Sequence, residues 1–247
     1  MYRNDMKYIY IIATMLLLTK INAYVCINIL GTGLYLPYSL GIVGYIKTCI
    51  PINDNIKLSG VSGGSWCSLL YAFENDLSNH DEIWNYTMGD DNFKLRLTSN
   101  MHEFHYKIEK NLKLRYKNIK TIPDISIIAT RFDNKKMKLY NEKITKFENI
   151  NDLINYCGCS SYIPYISGTL MCKEYDNKYY LDGDIMRNPE LYNCQKNFLN
   201  IHKNMWGRKF NIRNLIYADK NTSRELFMQG WNDTEKNKDY ILGLLQK

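Results

Sequence analysis

One short segment of the chain has the residue types and spacing of a serine nucleophile. Residues 60–64 read Gly-Val-Ser-Gly-Gly, a G-x-S-x-G pattern centred on Ser62. In such a nucleophile elbow, a tight strand-to-helix turn holds the serine hydroxyl out toward an acyl carbonyl, and glycines let the backbone bend. The flanking residues agree, because residues 56–58 alternate like a strand and residues 66–73 read as a buried helix. The segment predicts acyl chemistry at Ser62, on a turn shaped by Gly60, Gly63 and Gly64.

The candidate base for this serine is Asp182. A serine hydroxyl is a poor nucleophile until a base accepts its proton. Asp182 ends a predicted strand, residues 178–181, and precedes Gly183, so its carboxylate is expected to project at a turn. Aspartate is a weak base in water, but a desolvated pocket raises its pKa toward the useful range. Proximity to Ser62 would then let it take the proton as attack proceeds.

Histidine is the alternative base, and His202 is the candidate. The chain order Ser62, Asp182, His202 matches that of an α/β-hydrolase triad. Residues 192–203, however, read as a polar helix rather than the loop in which a catalytic histidine normally lies. The triad is therefore kept as an alternative to the Ser62–Asp182 pair.

The sequence predicts neither a metal site nor a cofactor. His102 and His105 are three residues apart, whereas the zinc-protease helix needs a spacing of four. The seven cysteines form an odd number, so at least one is free or intermolecular. Cys26 and Cys67 fall on apolar runs and are predicted to be buried thiols.

The N-terminal 23 residues are typical of a targeting segment. Basic residues precede an apolar run over residues 8–18, and Ile21-Asn22-Ala23 resembles a cleavage site. The run is short for a membrane span, which favours a signal peptide over an N-terminal membrane anchor. We therefore expect entry into the secretory pathway, and a single mature domain over residues 24–247.

The remaining pattern predicts an α/β fold. Apolar strand-like runs at residues 24–30, 56–58 and 125–130 alternate with helical segments, which indicates an α/β sandwich with a mainly parallel sheet. The basic stretch over residues 107–120 alternates with apolar residues and is interpreted as the solvent face of a strand, within a longer irregular segment, residues 75–120, that is a candidate lid or membrane-contacting insertion. The net charge of +7 suits anionic lipid head groups or nucleic acid.

Five separated segments, taken in order, resemble the patatin-like phospholipases and the related fungal lysophospholipases and calcium-activated cytosolic phospholipases. The glycine-rich segment comes first, then the elbow, a Cys-Ser-Ser-Tyr-Ile-Pro segment, an Asp-Gly-Asp box followed by Asn-Pro, and a late helix. They lie at residues 29–33, 60–64, 159–164, 182–189 and 224–232.

This resemblance implies a three-layer α/β/α sandwich and a cofactor-free lipid acyl hydrolase of the phospholipase A or lysophospholipase type. Ser62 would be the nucleophile and Asp182 its base, acting on a membrane or lipid aggregate and not on nucleic acid. The oxyanion would be bound by the backbone N–H groups of Gly31, Thr32 and Gly33.

Three residues depart from the family pattern. Thr32 interrupts the glycines, Tyr35 stands where a basic residue is common, and Asp184 gives the Asp-Gly box, with Gly183 at its centre, a second carboxylate. If the two carboxylates interact, the pKa of Asp182 rises. A non-catalytic lipid-binding protein and a lipid acyltransferase are the competing interpretations.

Overall fold

The computed structural model describes residues 25–50, 55–97, 99–186, 188–192, 198–210 and 217–245. The predicted targeting segment, residues 1–23, lies outside these ranges. None of the helices within them is long and apolar enough to cross a bilayer.

Nine strands and seven α-helices are found in the described ranges. The strands are β1 (Val25–Ile29), β2 (Ile56–Val61), β3 (Leu95–Arg96), β4 (Ile125–Asp133), β5 (Lys138–Ile144), β6 (Lys173–Tyr175), β7 (Lys178–Leu181), β8 (Phe198–Ile201) and β9 (Tyr217–Ala218). The helices are α1 (Leu36–Cys49), α2 (Gly63–Phe73), α3 (His80–Met88), α4 (Met101–Arg115), α5 (Ile150–Ser160), α6 (Lys220–Lys236) and α7 (Lys238–Leu245). Single 3-10 turns lie at Gly33–Tyr35 and Pro189–Tyr192.

Seven of the strands form one sheet in the order β6-β7-β4-β2-β1-β8, with β5 also paired to β4. Strands β4, β2, β1 and β8 run parallel to one another. Strands β5 and β7 pair antiparallel with β4, and β6 pairs antiparallel with β7. Helices flank the sheet, and the apolar residues of β1, β2 and β4 are buried as in other parallel sheets. The predicted α/β class with a mainly parallel central sheet is confirmed, and it is compatible with a patatin-like α/β/α sandwich.

Two local predictions are wrong. Within the predicted helix at residues 192–203, residues 193–197 lie outside the described ranges and residues 198–201 form β8, whose Leu199 and Ile201 are buried where the strand pairs with β1. Residues 107–115 of the basic stretch belong to α4 and residues 116–120 follow the helix without forming a strand, so the predicted strand is absent here. Ile108 and Leu112, four residues apart, face the core, whereas Leu114 is exposed, so the burial follows the helical period and the apparent alternation is incidental.

Cys26 also differs from its prediction as a free thiol. Its side chain is buried, as expected, but it is disulfide-bonded. Cys67 is a buried free thiol, as predicted.

Candidate active site

Ser62 lies on a strained turn between β2 and α2. Its backbone has φ 53° and ψ −130°, a conformation that non-glycine residues rarely adopt. The helix can start this close to the sheet because two glycines carry no side chain. A Cβ on Gly64 would lie 2.1 Å from the carbonyl oxygen of Ile29, and one on Gly60 would lie 2.6 Å from the Cα of Ser65. The geometry is that of the predicted nucleophile elbow.

The Ser62 hydroxyl donates a 2.6 Å hydrogen bond to Oδ2 of Asp182. The other carboxylate oxygen, Oδ1, accepts a 2.9 Å bond from the backbone N–H of Asp184. Both Ser62 and Asp182 are only 7% exposed. These hydrogen bonds hold the Asp182 carboxylate in the orientation that a base for Ser62 needs.

The register of β4 explains how two residues 120 positions apart meet. On one edge, β4 pairs with β5 over residues 127–133, so β2 and β7 must share the other edge. Along that edge Val61 of β2 is opposite Ile128, and Leu181 of β7 is opposite Thr130. Because β2 runs parallel to β4 and β7 runs antiparallel to it, the C-terminal ends of β2 and β7 face each other. Ser62 directly follows the end of β2 and Asp182 directly follows the end of β7, which brings the two residues together.

A hydrogen-bond bridge through Ser160, the last residue of α5, fastens this junction. Its hydroxyl accepts a 2.8 Å bond from the N–H of Ser62 and donates a 2.6 Å bond to the carbonyl oxygen of Ile128. Its carbonyl oxygen accepts a 2.9 Å bond from the N–H of Gly183, where a Cβ would lie only 2.3 Å from the same Ile128 oxygen. The sequence placed Ser160 inside a family-like segment, but nothing in it indicated this role.

Burial raises the pKa of Asp182 to about 6. Loss of solvation is the largest cause, the hydrogen bonds from Ser62 and from the Asp184 N–H oppose it, and the negative charge of Asp184 adds a smaller increase. The expected contribution from Asp184 therefore has the right direction, but burial dominates. A carboxyl group with this pKa is ionised at neutral pH and is a better proton acceptor than an aspartate in water.

The glycine loop lies beside the elbow. It follows β1, whose Ile29 is opposite Gly60, and it contacts the start of α2, because a Cβ on Gly63 would lie 2.4 Å from Oγ1 of Thr32. The left-handed conformation falls on Gly33, with φ 54°, while Thr32 has an ordinary φ of −120°. Thr32 therefore adds no backbone strain to the loop.

The close approach at Gly31 involves the second carboxylate of the Asp-Gly box. A Cβ at this position would lie 1.6 Å from Oδ2 of Asp184, so only glycine allows the carboxylate to lie against the loop. The structure thus brings the glycine loop, the elbow and the Asp-Gly box together at one end of the sheet.

His202 is not part of this cluster. It follows β8, and β1 separates β8 from the strand that leads to Ser62, a distance of two strand spacings, or roughly 10 Å. Among the described residues, the hydrogen-bond partners of the Asp182 carboxylate are Ser62 and the N–H of Asp184. The geometry favours the pair over the triad.

Comparison with known proteins yields little. No protein-family model matches the chain, and no curated protein matches it. Among solved structures, VipD from Legionella pneumophila is similar in fold, with a TM-score of 0.46 and 11% identity. The similar region covers 73% of this chain and 50% of the VipD chain, so this chain spans half the length of VipD. At this level the likeness carries no argument about activity, and the function has to follow from the site.

An apolar pocket opens at the pair. It contains about 960 Å³ of empty space, open solvent included, and Ser62 and Asp182 are on its wall. Most of the remaining wall comes from helices α1 to α4, and its apolar side chains include Leu40, Trp66, Leu70, Ile83, Trp84 and Ile108. Pockets with a mostly apolar wall and a few polar groups are typical binding sites for small molecules.

Five aromatic residues differ in exposure, and the candidate lid forms part of the pocket. Trp66 lines the pocket, Tyr165 is 73% exposed, and Tyr35, Tyr38 and Tyr162 are buried. The candidate lid, residues 75–120, contains α3 and α4, which pack together and form one wall of the pocket. The sequence contained no motif that assigned this wall to the site.

Proposed function

We propose that this protein is a serine acyl hydrolase of the patatin-like type that cleaves the ester bonds of lipids. The observation that carries the proposal is the 2.6 Å hydrogen bond from the Ser62 hydroxyl to a buried Asp182, at the wall of an apolar pocket. A hydroxyl paired with a base of raised pKa is an activated nucleophile, and the apolar wall of the pocket suits an acyl chain.

The reaction proceeds through an acyl-serine. Ser62 Oγ attacks the ester carbonyl while Asp182 accepts the hydroxyl proton, and the oxyanion forms beside the backbone N–H groups of residues 31–33. The intermediate collapses as Asp182 returns the proton to the departing alcohol. Asp182 then takes a proton from a water molecule, which attacks the acyl-serine and releases the fatty acid. Each step uses groups of this chain and water.

The substrate is proposed to be presented by a lipid surface. Five exposed apolar side chains lie in two segments next to Asp182. The first segment is joined to Asp182 by the hydrogen bond that the Asp182 N–H donates to the carbonyl oxygen of Tyr162, and the second segment follows Asp182 in the chain. We call these residues the apolar rim: Tyr165, Leu170, Met171, Ile185 and Met186. Exposed apolar side chains next to a residue that lines an apolar pocket favour contact with a membrane or lipid aggregate.

Secretory entry remains part of the proposal. It depends on the N-terminal 23 residues, and a disulfide at Cys26 is a cross-link that persists in oxidising compartments. Expression in a secretory host, with measurement of the mature N-terminus by mass spectrometry, tests it. An unprocessed protein retained in the membrane would instead favour the N-terminal anchor.

Covalent labelling tests the proposed activity against the interpretation as a lipid-binding protein. A serine-reactive fluorophosphonate should label the wild-type protein at Ser62 and should not label Ser62→Ala. Ser68→Ala is the matched control, because Ser68 is a buried serine on α2, the helix that follows Ser62, and its hydroxyl donates a hydrogen bond to the carbonyl oxygen of Gly64. Absence of labelling in correctly folded wild-type protein would contradict the proposed activity. Product analysis with an added acyl acceptor separates hydrolysis from acyl transfer.

A further inference from the structure

Two histidines line the apolar pocket, and they differ in their hydrogen bonding. His80, on α3, has a partner at each ring nitrogen: Nε2 lies 3.0 Å from Oγ of Ser223, and Nδ1 lies 3.4 Å from a carboxylate oxygen of Asp81. His105, on α4, is 7% exposed and makes no hydrogen bond or ion pair with any residue in the described ranges. His80 is a satisfied structural residue, whereas His105 is not.

The ring nitrogens of His105 are not sealed within the protein. Several buried polar atoms lack a partner and are closed off from solvent, as in Ser39 and Thr130, but His105 does not belong to this group. His105 is also one of the residues that line the pocket. The described residues hold no cluster of three metal-ligating side chains.

The ring is neutral at ordinary pH. Burial, and to a smaller degree the positive charge of nearby Lys173, lower the pKa of His105 to about 3. Lys173 is itself paired with Glu109, one turn after His105 on α4. A neutral imidazole presents one hydrogen-bond donor and one acceptor, and a hydroxyl group can serve either.

We propose that His105 is a specificity residue for acyl chains that carry a hydroxyl group along their length. An unmodified chain filling the pocket displaces water from His105 and leaves a buried polar group without a partner, which is unfavourable. A chain with a hydroxyl at the matching carbon restores that hydrogen bond. Sites built around a buried polar group reject analogues that cannot pair with it. This inference rests on the proposed function, because it places the acyl chain in the pocket.

Competition between matched substrates provides the test. Phosphatidylcholines with plain octadecanoyl chains and with octadecanoyl chains hydroxylated at one of several mid-chain carbons are mixed in detergent micelles, and the released acids are counted by mass spectrometry. The wild-type protein should release one hydroxylated isomer roughly tenfold faster than the plain acid. The ratio is measured within a single reaction, so a loss of folded protein cancels.

Three variants assign the preference. His105→Leu should bring the ratio close to one, and His105→Gln, which keeps a donor and an acceptor, should retain part of it. His102→Leu is the matched control, because His102 is exposed on the same helix and does not line the pocket, and it should keep the wild-type ratio. A wild-type ratio near one for every isomer, or a preference that survives in His105→Leu, overturns the proposal.

A binding measurement separates failure of this inference from failure of the proposed function. Trp66 and Trp84 line the pocket and report ligand binding by fluorescence. In Ser62→Ala, hydroxyoctadecanoic acid should bind roughly tenfold more tightly than octadecanoic acid, and the additional substitution His105→Leu should remove the difference. A protein without hydrolytic activity that still shows this difference refutes the enzyme proposal alone. Equal binding of the two acids refutes the role of His105.

Discussion

The two sides of the pocket are built on different principles. The catalytic edge, consisting of residues 31–33, 60–64 and 182–184, is fixed by backbone hydrogen bonds, strand register and glycines at which no Cβ fits. The helical wall, formed by α3 and α4, is fixed by packing of apolar side chains. If the proposed function is right, substitutions on the wall should change which acyl chain is accepted, while those on the edge should change whether the reaction occurs at all.

The largest effect is expected at the catalytic edge. Ser62→Ala and Asp182→Asn should each lower kcat for ester hydrolysis by roughly 10³-fold or more, because each removes a partner in proton transfer. Release of fatty acid from micelles measures this. His202→Ala should remain within about twofold of the wild type, and a comparable loss in that variant would restore the triad.

Asp182→Asn should also stabilise the fold. The pKa of Asp182 is raised from 3.8 to about 6, so the stabilising protonated form is fully present below pH ~4 and is lost as the pH rises through about 6. Asp182→Asn cannot ionise and should gain roughly 2–3 kcal/mol in the free energy of unfolding at neutral pH. Urea denaturation at neutral pH and near pH ~4 measures the gain, which should vanish at the lower pH. A loss of stability at neutral pH would show that ionised Asp182 is not destabilising.

The pH dependence of activity should follow the same carboxyl group. A base must be deprotonated, so kcat/KM should be level above the Asp182 pKa of about 6 and fall by roughly tenfold per pH unit below it. An imidazole base gives a similar curve, so the profile is repeated with His202→Ala, which should not shift it. A profile that is flat on both sides of pH ~6 contradicts a role for Asp182 as the base.

A smaller and selective effect is expected on the helical wall. Ile108→Ala removes apolar surface from the pocket and should lower the ratio of long-chain to acetyl ester efficiency by roughly tenfold. Leu112→Ala is the control, because Leu112 is equally buried one turn along α4 but does not line the pocket. Both variants lose packing energy, yet only the first should change the ratio. Equal ratios in the two would mean that acyl chains do not contact α4.

The smallest effect is expected at the apolar rim. Leu170→Asp should lower hydrolysis of lipids in vesicles by roughly three- to tenfold, because a charged residue is not favourably buried in a lipid surface. Hydrolysis of a soluble short-chain ester should not follow this loss. Leu114→Asp is the control, since Leu114 is exposed to nearly the same degree, 61% against 63%, but lies on α4 and outside the rim. Equal losses in the two variants would remove the rim as a lipid contact.

The contrast between edge and wall also explains what the sequence could predict. The sequence predicted the catalytic edge, namely Ser62, the glycine loop and the Asp-Gly box, because strained turns and close backbone approach require particular residues at fixed spacing. The sequence could not predict the helical wall, since many apolar residues in α3 and α4 would pack equally well and no motif marks Ile83 or Ile108. His202 was placed on a helix because local pattern hides the long-range pairing of β8 with β1. The bridging role of Ser160 depends on the same kind of contact between distant elements.

The meeting of two strand ends on β4 has a consequence for biosynthesis. Ser62 and the strand that carries it are made first, and the chain must grow by 120 more residues before Asp182 exists. At roughly 5–20 residues per second, that interval is roughly 6–24 s. Throughout it the elbow holds an unactivated alcohol, since the proton acceptor arrives only when β7 docks against β4. Unfinished chains thus lack the Ser62–Asp182 pair, and on the proposed function they should not hydrolyse esters until β7 has docked against β4.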